Sequence, residues 1–137
     1  MNWPVGYLIR DICEKNLSYK DMLYHLCNAK LVSPCYITVC GTKQHPKIIT
    51  RDPSGYSSYK DEYVVQTNCD QLKTEPDILY SVKRRTMIEN IIAENNNNFR
   101  SIEDMVIKFN KYPVINDETI YYSIMSNNNM SHISYNI

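Results

Sequence analysis

Apolar positions recur every three or four residues at the start of the chain. Val5, Leu8, Ile9 and Ile12 stand at i, i+3, i+4 and i+7, which gathers them on one face of a helix that begins after Pro4. Ser18 followed three residues on by Asp21 has the form of a capping box, so a second helix is expected from Ser18, with Met22, Leu23, Leu26 and Cys27 as its apolar stripe. The pattern then shortens. Pro34 to Cys40 is rich in β-formers and stops at Gly41, and Lys47 to Arg51 repeats the habit. Asp52-Pro53-Ser54-Gly55 is a turn sequence, with proline setting one dihedral and glycine permitting a positive φ. Glu62 to Thr67 is expected as the third strand of an antiparallel meander. Helical spacing returns over about Tyr80 to Glu94, where Met87, Ile88, Ile91 and Ile92 face inward. The asparagine run from Asn95 to Asn98 reads as a solvent loop. Ser101 with Asp104 opens another capped helix, striped by Ile102, Met105, Val106 and Phe109 and closed by Pro113. Thr119 to Met125 and Ile133 to Tyr135 complete a hairpin around the segment 126–129.

The predicted order is α-α-β-β-β-α-α-β-β, an α+β chain with paired helices beside antiparallel sheet. Strands such as Cys35 to Cys40 carry apolar groups on both faces, so both faces need cover. The helices supply one covering layer, and a second layer is missing from the pattern. An isolated chain with one sheet face open is expected to be poorly soluble. No internal repeat is visible, and no linker is long enough to divide the chain.

Composition narrows the function classes. The 137 residues suffice for one domain, 43% of them are hydrophobic, and fifteen basic residues balance fifteen acidic ones. A balanced chain lacks the clustered basic surface of a nucleic-acid binder, so no nucleic-acid partner is expected. No transmembrane segment is expected, because no apolar stretch reaches the length of a membrane span. The first residues have neither the charged start nor the apolar run of a signal peptide. Five cysteines (Cys13, Cys27, Cys35, Cys40, Cys69) form an odd set without metal-ligand spacing, and most of them read as small buried apolar residues. Cys35 and Cys40, an odd number of residues apart, should face opposite sides of their strand. The histidines His25, His45 and His132 are scattered, so neither a metal nor a cofactor is called for. Asn16-Leu17-Ser18 and Asn129-Met130-Ser131 are glycosylation sequons, which matter only in a secretory compartment.

Several segments, in order along nearly the whole chain, resemble the acid ceramidase and N-acylethanolamine acid amidase family. Trp3-Pro4-Val5 leading into Tyr7-Leu8-Ile9-Arg10 looks like the family's helix before the sheet. The run from Ala29 to Ile37 is similar to its entry into that sheet. Gly41 followed by Ile48-Ile49-Thr50-Arg51-Asp52 resembles "GG…VITRD", and Tyr63-Val64-Val65-Gln66-Thr67-Asn68-Cys69-Asp70 resembles "YVVQTNYD". Arg84-Arg85-Thr86 matches "RRT", and Tyr112-Pro113-Val114-Ile115-Asn116 followed by Thr119-Ile120-Tyr121 resembles "KPVLN…TVYT".

The resemblance implies an N-terminal-nucleophile hydrolase with a four-layer αββα sandwich. The chain is then residues 1–137 of the C-terminal part of one such domain, an incomplete αββα sandwich whose nucleophile segment lies upstream. In the family a precursor cleaves itself to expose a cysteine, whose thiolate attacks an amide carbonyl with the free α-amine as base. The implied substrate is a lipid amide, ceramide or an N-acylethanolamine. The implied partner is the upstream segment or α-chain of the same precursor, and the implied location is lysosomal. The resemblance assigns Asn68 as the oxyanion donor and Arg84 to the active site. Without it Asn68 reads as a strand-ending asparagine and Arg84 as a solvated helix arginine, as Arg85 does. Arg51 and Asp52 read as structural, and Asp70 as a loop residue.

The chain also departs from the pattern. None of its cysteines occupies the nucleophile position. Ile91 stands where the family has a cross-linking cysteine, and the segment between Asn68 and Arg84 is a few residues longer. The other readings are an inactive relative retained as a lipid-binding or interaction module, and a branch acting on bile-acid-like or penicillin-like amides.

Overall fold

The computed structural model describes residues 2–71, 76–126 and 131–136. It is α+β, and contacts divide it into two compact units, residues 1–64 and 65–137.

In the first unit, α1 (Val5–Glu14) and α2 (Tyr19–Asn28) precede a three-stranded antiparallel sheet, β1 (Cys35–Gly41), β2 (Gln44–Arg51) and β3 (Tyr56–Lys60), in the order β1-β2-β3. The amphipathic pattern places Leu8 and Ile12 of α1 and Leu26 of α2 in one core with Ile37, Val39 and Ile49 of the sheet and the fully buried Leu31. Ile9, expected in the stripe, is 41% exposed. Its position at the edge of the apolar arc leaves it beside the core rather than in it. Ser18 caps α2 as its sequence predicts: the hydroxyl oxygen accepts from the Asp21 amide at 3.2 Å. Ser18→Ala is expected to lower unfolding stability by about 1 kcal/mol. A shift of the urea midpoint at constant m-value measures the loss, and an unshifted midpoint would count against a working cap.

Ile48 and Ile49 are successive strand residues on opposite faces, and both are fully buried. The third strand differs from its expected position. The Asp52 amide donates to the Gly55 carbonyl at 3.0 Å, a tight turn that sends the chain straight back along β2 at Tyr56. The segment 62–67 is not a strand. Side chains take backbone acceptors in and just after it instead: Gln66 Nε2 donates to the carbonyls of Thr67 (2.6 Å) and Cys69 (2.9 Å), and Gln71 Nε2 donates to that of Val65. Such local bonds compete directly with a strand ladder.

The second unit contains a 3-10 turn (Ile78–Tyr80), α3 (Ser81–Glu94), α4 (Ile102–Phe109), and a hairpin of β4 (Tyr121–Ser126) with β5 (Ser131–Asn136). Residues 127–129 of the expected hairpin turn, Asn129 of the second sequon among them, lie outside the described residues. Ser101 caps α4 through the Asp104 amide at 3.2 Å. The asparagine run does more than fill a loop. Asn95 donates from Nδ2 to the Ile91 carbonyl (2.6 Å) and accepts from Lys108 Nζ (2.7 Å), so it ends α3 and ties it to α4. Asn96 and Asn97 take positive φ, as asparagine does more readily than other side-chain-bearing residues.

Candidate functional site

The site begins at the entrance to α3. Leu79 (φ 54°) and Tyr80 (φ 55°) are both left-handed, a conformation that costs a bulky residue about 1–2 kcal/mol. Ser81, which follows, is completely buried. Its hydroxyl donates to the Ile78 carbonyl, and its own carbonyl accepts from the Thr67 hydroxyl at 2.9 Å. The Asp77 carboxylate accepts from the Val82 amide at 2.8 Å and closes the helix N-terminus. Thr67 thereby fixes the loop 67–70 to the first turn of α3.

Arg84 lies one turn along, on the Ser81 side of α3. Its Nη2 donates to the carboxamide oxygen of Asn68 and, at 3.4 Å, to the Ser81 hydroxyl. A guanidinium has no acceptor, so the Asn68 oxygen must face it, and Nδ2 is left as the group able to donate elsewhere. No hydrogen bond among the described residues engages that nitrogen. Arg84 Nε is buried and has no partner among the described residues. A charged donor in that position holds an unmet demand for an acceptor. Arg85, read from sequence as solvated, is half-buried and donates from Nη1 to the Asp70 carbonyl at 3.1 Å. Asp70 itself is buried. Adjacent arginines thus grip the same loop, one through a side chain and one through the backbone.

Asn68 and Arg84 share a recess of about 330 Å³, whose other walls include Leu79, Asn116, Glu118 and Tyr121. Other cavities in this unit contain neither residue, among them one of about 240 Å³ between Tyr80, Tyr112 and Glu118. Another of about 390 Å³, between α4, the segment 113–115 and β4, is lined by Met105, Val106, Phe109, Ile115 and Ile124 and is almost wholly apolar. A third, of about 830 Å³, lies along α3 beside Tyr112.

Asn16 is exposed directly after α1, with φ 47°. All five cysteines are free thiols; Cys13 and Cys40 are exposed, so the reading of small buried apolar residues does not hold for those two. Burial pushes the thiols of Cys27 and Cys35 up, against the opposing pull of Arg51, so neither is a ready thiolate. Cys69 is buried, with Sγ 3.4 Å from the Thr67 hydroxyl. Among the described residues no cluster of three acidic, histidine or cysteine side chains could hold a metal ion. No described helix is long and apolar enough to cross a membrane. The sequence offered no local signal for Arg85, or for Glu118 as a wall of the recess, because both placements depend on the chain returning to the same spot.

No family model matches the chain. An uncharacterized protein of Acanthamoeba polyphaga mimivirus is 34% identical over 122 residues, covering 89% of this chain and 38% of that protein. Acid ceramidase of Balaenoptera acutorostrata scammoni is 29% identical over 132 residues, 88% of this chain and 32% of its own length. N-acylethanolamine-hydrolyzing acid amidase of Mus musculus is 28% identical over 133 residues, 90% of this chain and 35% of its own length. The chain spans about a third of the length of each of these relatives.

Proposed function

We propose that these residues form the oxyanion-binding part of an amide hydrolase of the acid ceramidase and N-acylethanolamine acid amidase kind. The observation that carries this reading is the Arg84–Asn68 pairing, which holds the carboxamide oxygen and turns Nδ2 outward beside a recess. In the proposed reaction a cysteine thiolate, carried by a segment of the precursor outside these residues, attacks the carbonyl of a fatty-acyl amide. Negative charge gathers on the carbonyl oxygen as the carbon becomes tetrahedral, and Asn68 Nδ2–H donates to it. Arg84 is the positioning residue for Asn68, and its charge raises the local potential where the oxyanion develops.

The relatives named for ceramide and N-acylethanolamine chemistry support a lipid amide as substrate. The apolar cavity beside α4 suits a hydrocarbon chain. A lysosomal setting and glycosylation at Asn16 and Asn129 belong to the same reading, as does completion of the αββα sandwich by the rest of the precursor. The apolar cavity equally serves the alternative of an inactive lipid-binding relative, which would bind acyl amides without turning them over.

The test is hydrolysis of a long-chain N-acyl amide by the whole protein that carries these residues with its nucleophile segment. Arg84→Lys keeps the charge but loses the fork, and is expected to lower kcat by roughly tenfold to a hundredfold, the equivalent of one charge-assisted hydrogen bond. Unchanged kcat in that variant, or no turnover by the intact protein, would remove the reading.

A further inference from the structure

We propose that Glu118 determines specificity in the recess, its carboxylate accepting from a hydrogen-bond donor (a cationic one best) on the amine side of a bound amide, and repelling an anionic one. The inference rests on the proposed oxyanion role of Asn68 and adds to it the class of amine that the site prefers.

Glu118 lines the same recess as Asn68 and Arg84. Its backbone is held in place by a closed set of bonds within one turn. The Glu118 amide donates to Asn116 Oδ1 at 2.9 Å, and the Asn116 amide donates to the Thr119 hydroxyl at 3.0 Å. The Thr119 amide donates in turn to the Asn116 carbonyl at 2.9 Å. The carboxylate takes no part in this set, and no hydrogen bond or ion pair among the described residues engages it. The turn is therefore built without the charge, and Glu118 is exposed where it borders both this recess and a smaller one, of about 240 Å³, beside Tyr80 and Tyr112.

The recess has an electrical direction. Asn68 Nδ2 and the Arg84 guanidinium offer donors only, and Glu118 offers acceptors only. A carbonyl oxygen belongs at the donors. An acyl chain cannot lie against a carboxylate without desolvating it, so the part of an amide that meets Glu118 is the amine side. A hydroxyl or ammonium there gains a charge-assisted hydrogen bond, whereas a carboxylate there meets like charge.

The experiment is calorimetric titration of the full chain with two ligands of one acyl length, protonated N-butanoyl-ethylenediamine and N-butanoylglycine. The cationic ligand is expected to bind at least about tenfold more tightly, and Glu118→Gln is expected to bring the two within about twofold. The preference should also shrink as salt rises, because the recess opens to solvent. Glu118→Gln keeps the side-chain shape and the capped amide, so the turn is retained. Equal affinities in the unaltered chain, a preference that survives Glu118→Gln, or no binding of either ligand would overturn the proposal. The oxyanion reading fails separately, by undiminished turnover in an Asn68 variant, because the amine preference is read from binding alone.

Discussion

Asn68→Ala is expected to lower kcat of the whole protein by about 10²–10³, with KM little changed. The size follows from where the interaction acts. A ground-state carbonyl oxygen is a modest acceptor, and an oxyanion is a strong one, so a fixed donor stabilises the transition state more than the bound substrate. The geometry is fixed before substrate arrives, since Arg84 holds the carboxamide oxygen and Thr67 holds the loop to Ser81. Asn68→Asp sharpens the test. An aspartate would still satisfy Arg84, through an ion pair, but would present an acceptor where the oxyanion forms. It should therefore be at least as damaging as alanine, although the loop stays anchored. Steady-state kinetics on both variants check this, and a loss below about tenfold in each would show that the donor does not act on the reacting group.

The second large effect falls on stability. Arg51 is 2% exposed, and its guanidinium donates to the carbonyls of Leu26 and Ala29 and, at 3.2 Å, to that of Gly55. Leu26 lies in the last turn of α2 and Ala29 just beyond it, where carbonyls have no intrahelical donor and where a positive charge meets the negative end of the helix dipole. One side chain therefore joins the end of α2 to the turn between β2 and β3. Arg51→Met keeps the stem and removes the donors, leaving buried carbonyls unmatched. The expected cost is about 3–5 kcal/mol, measured by urea unfolding. Arg51→Lys should recover only part of it, since a single ammonium cannot span three carbonyls in a plane. A loss below about 1 kcal/mol would mean that water replaces the guanidinium at those carbonyls.

Features written in neighbouring residues were legible in the sequence. Ser18 with Asp21 and Ser101 with Asp104 mark helix starts because the bonded partners are three residues apart. The β1–β2 pairing follows from runs of β-formers on either side of a short turn. The third strand was misplaced because Glu62 to Thr67 has the better β composition, whereas the turn at 52–55 and the side chains of Gln66 and Gln71 decide the outcome. Arg51 shows another limit. Its strand-end position is local, but two of its three acceptors lie more than twenty residues earlier, and nothing in the string around it announces them. Asn68 and Arg84 are sixteen residues apart, and no periodicity connects a loop asparagine with a helix arginine. Their pairing was approached only through the likeness of "VVQTN" and "RRT" to a known family. Arg85 was misjudged for the same reason, since its acceptor belongs to that distant loop.

The two left-handed residues before α3 set stability and order against each other. Glycine at position 79 or 80 would adopt that backbone without strain, and a more stable unit is the natural outcome. The same glycine would let the helix axis swing about its first turn, and Arg84 rides on that axis. Side chains that can reach this backbone shape only under compulsion act as a stiff hinge pin, trading folding free energy for a fixed bearing.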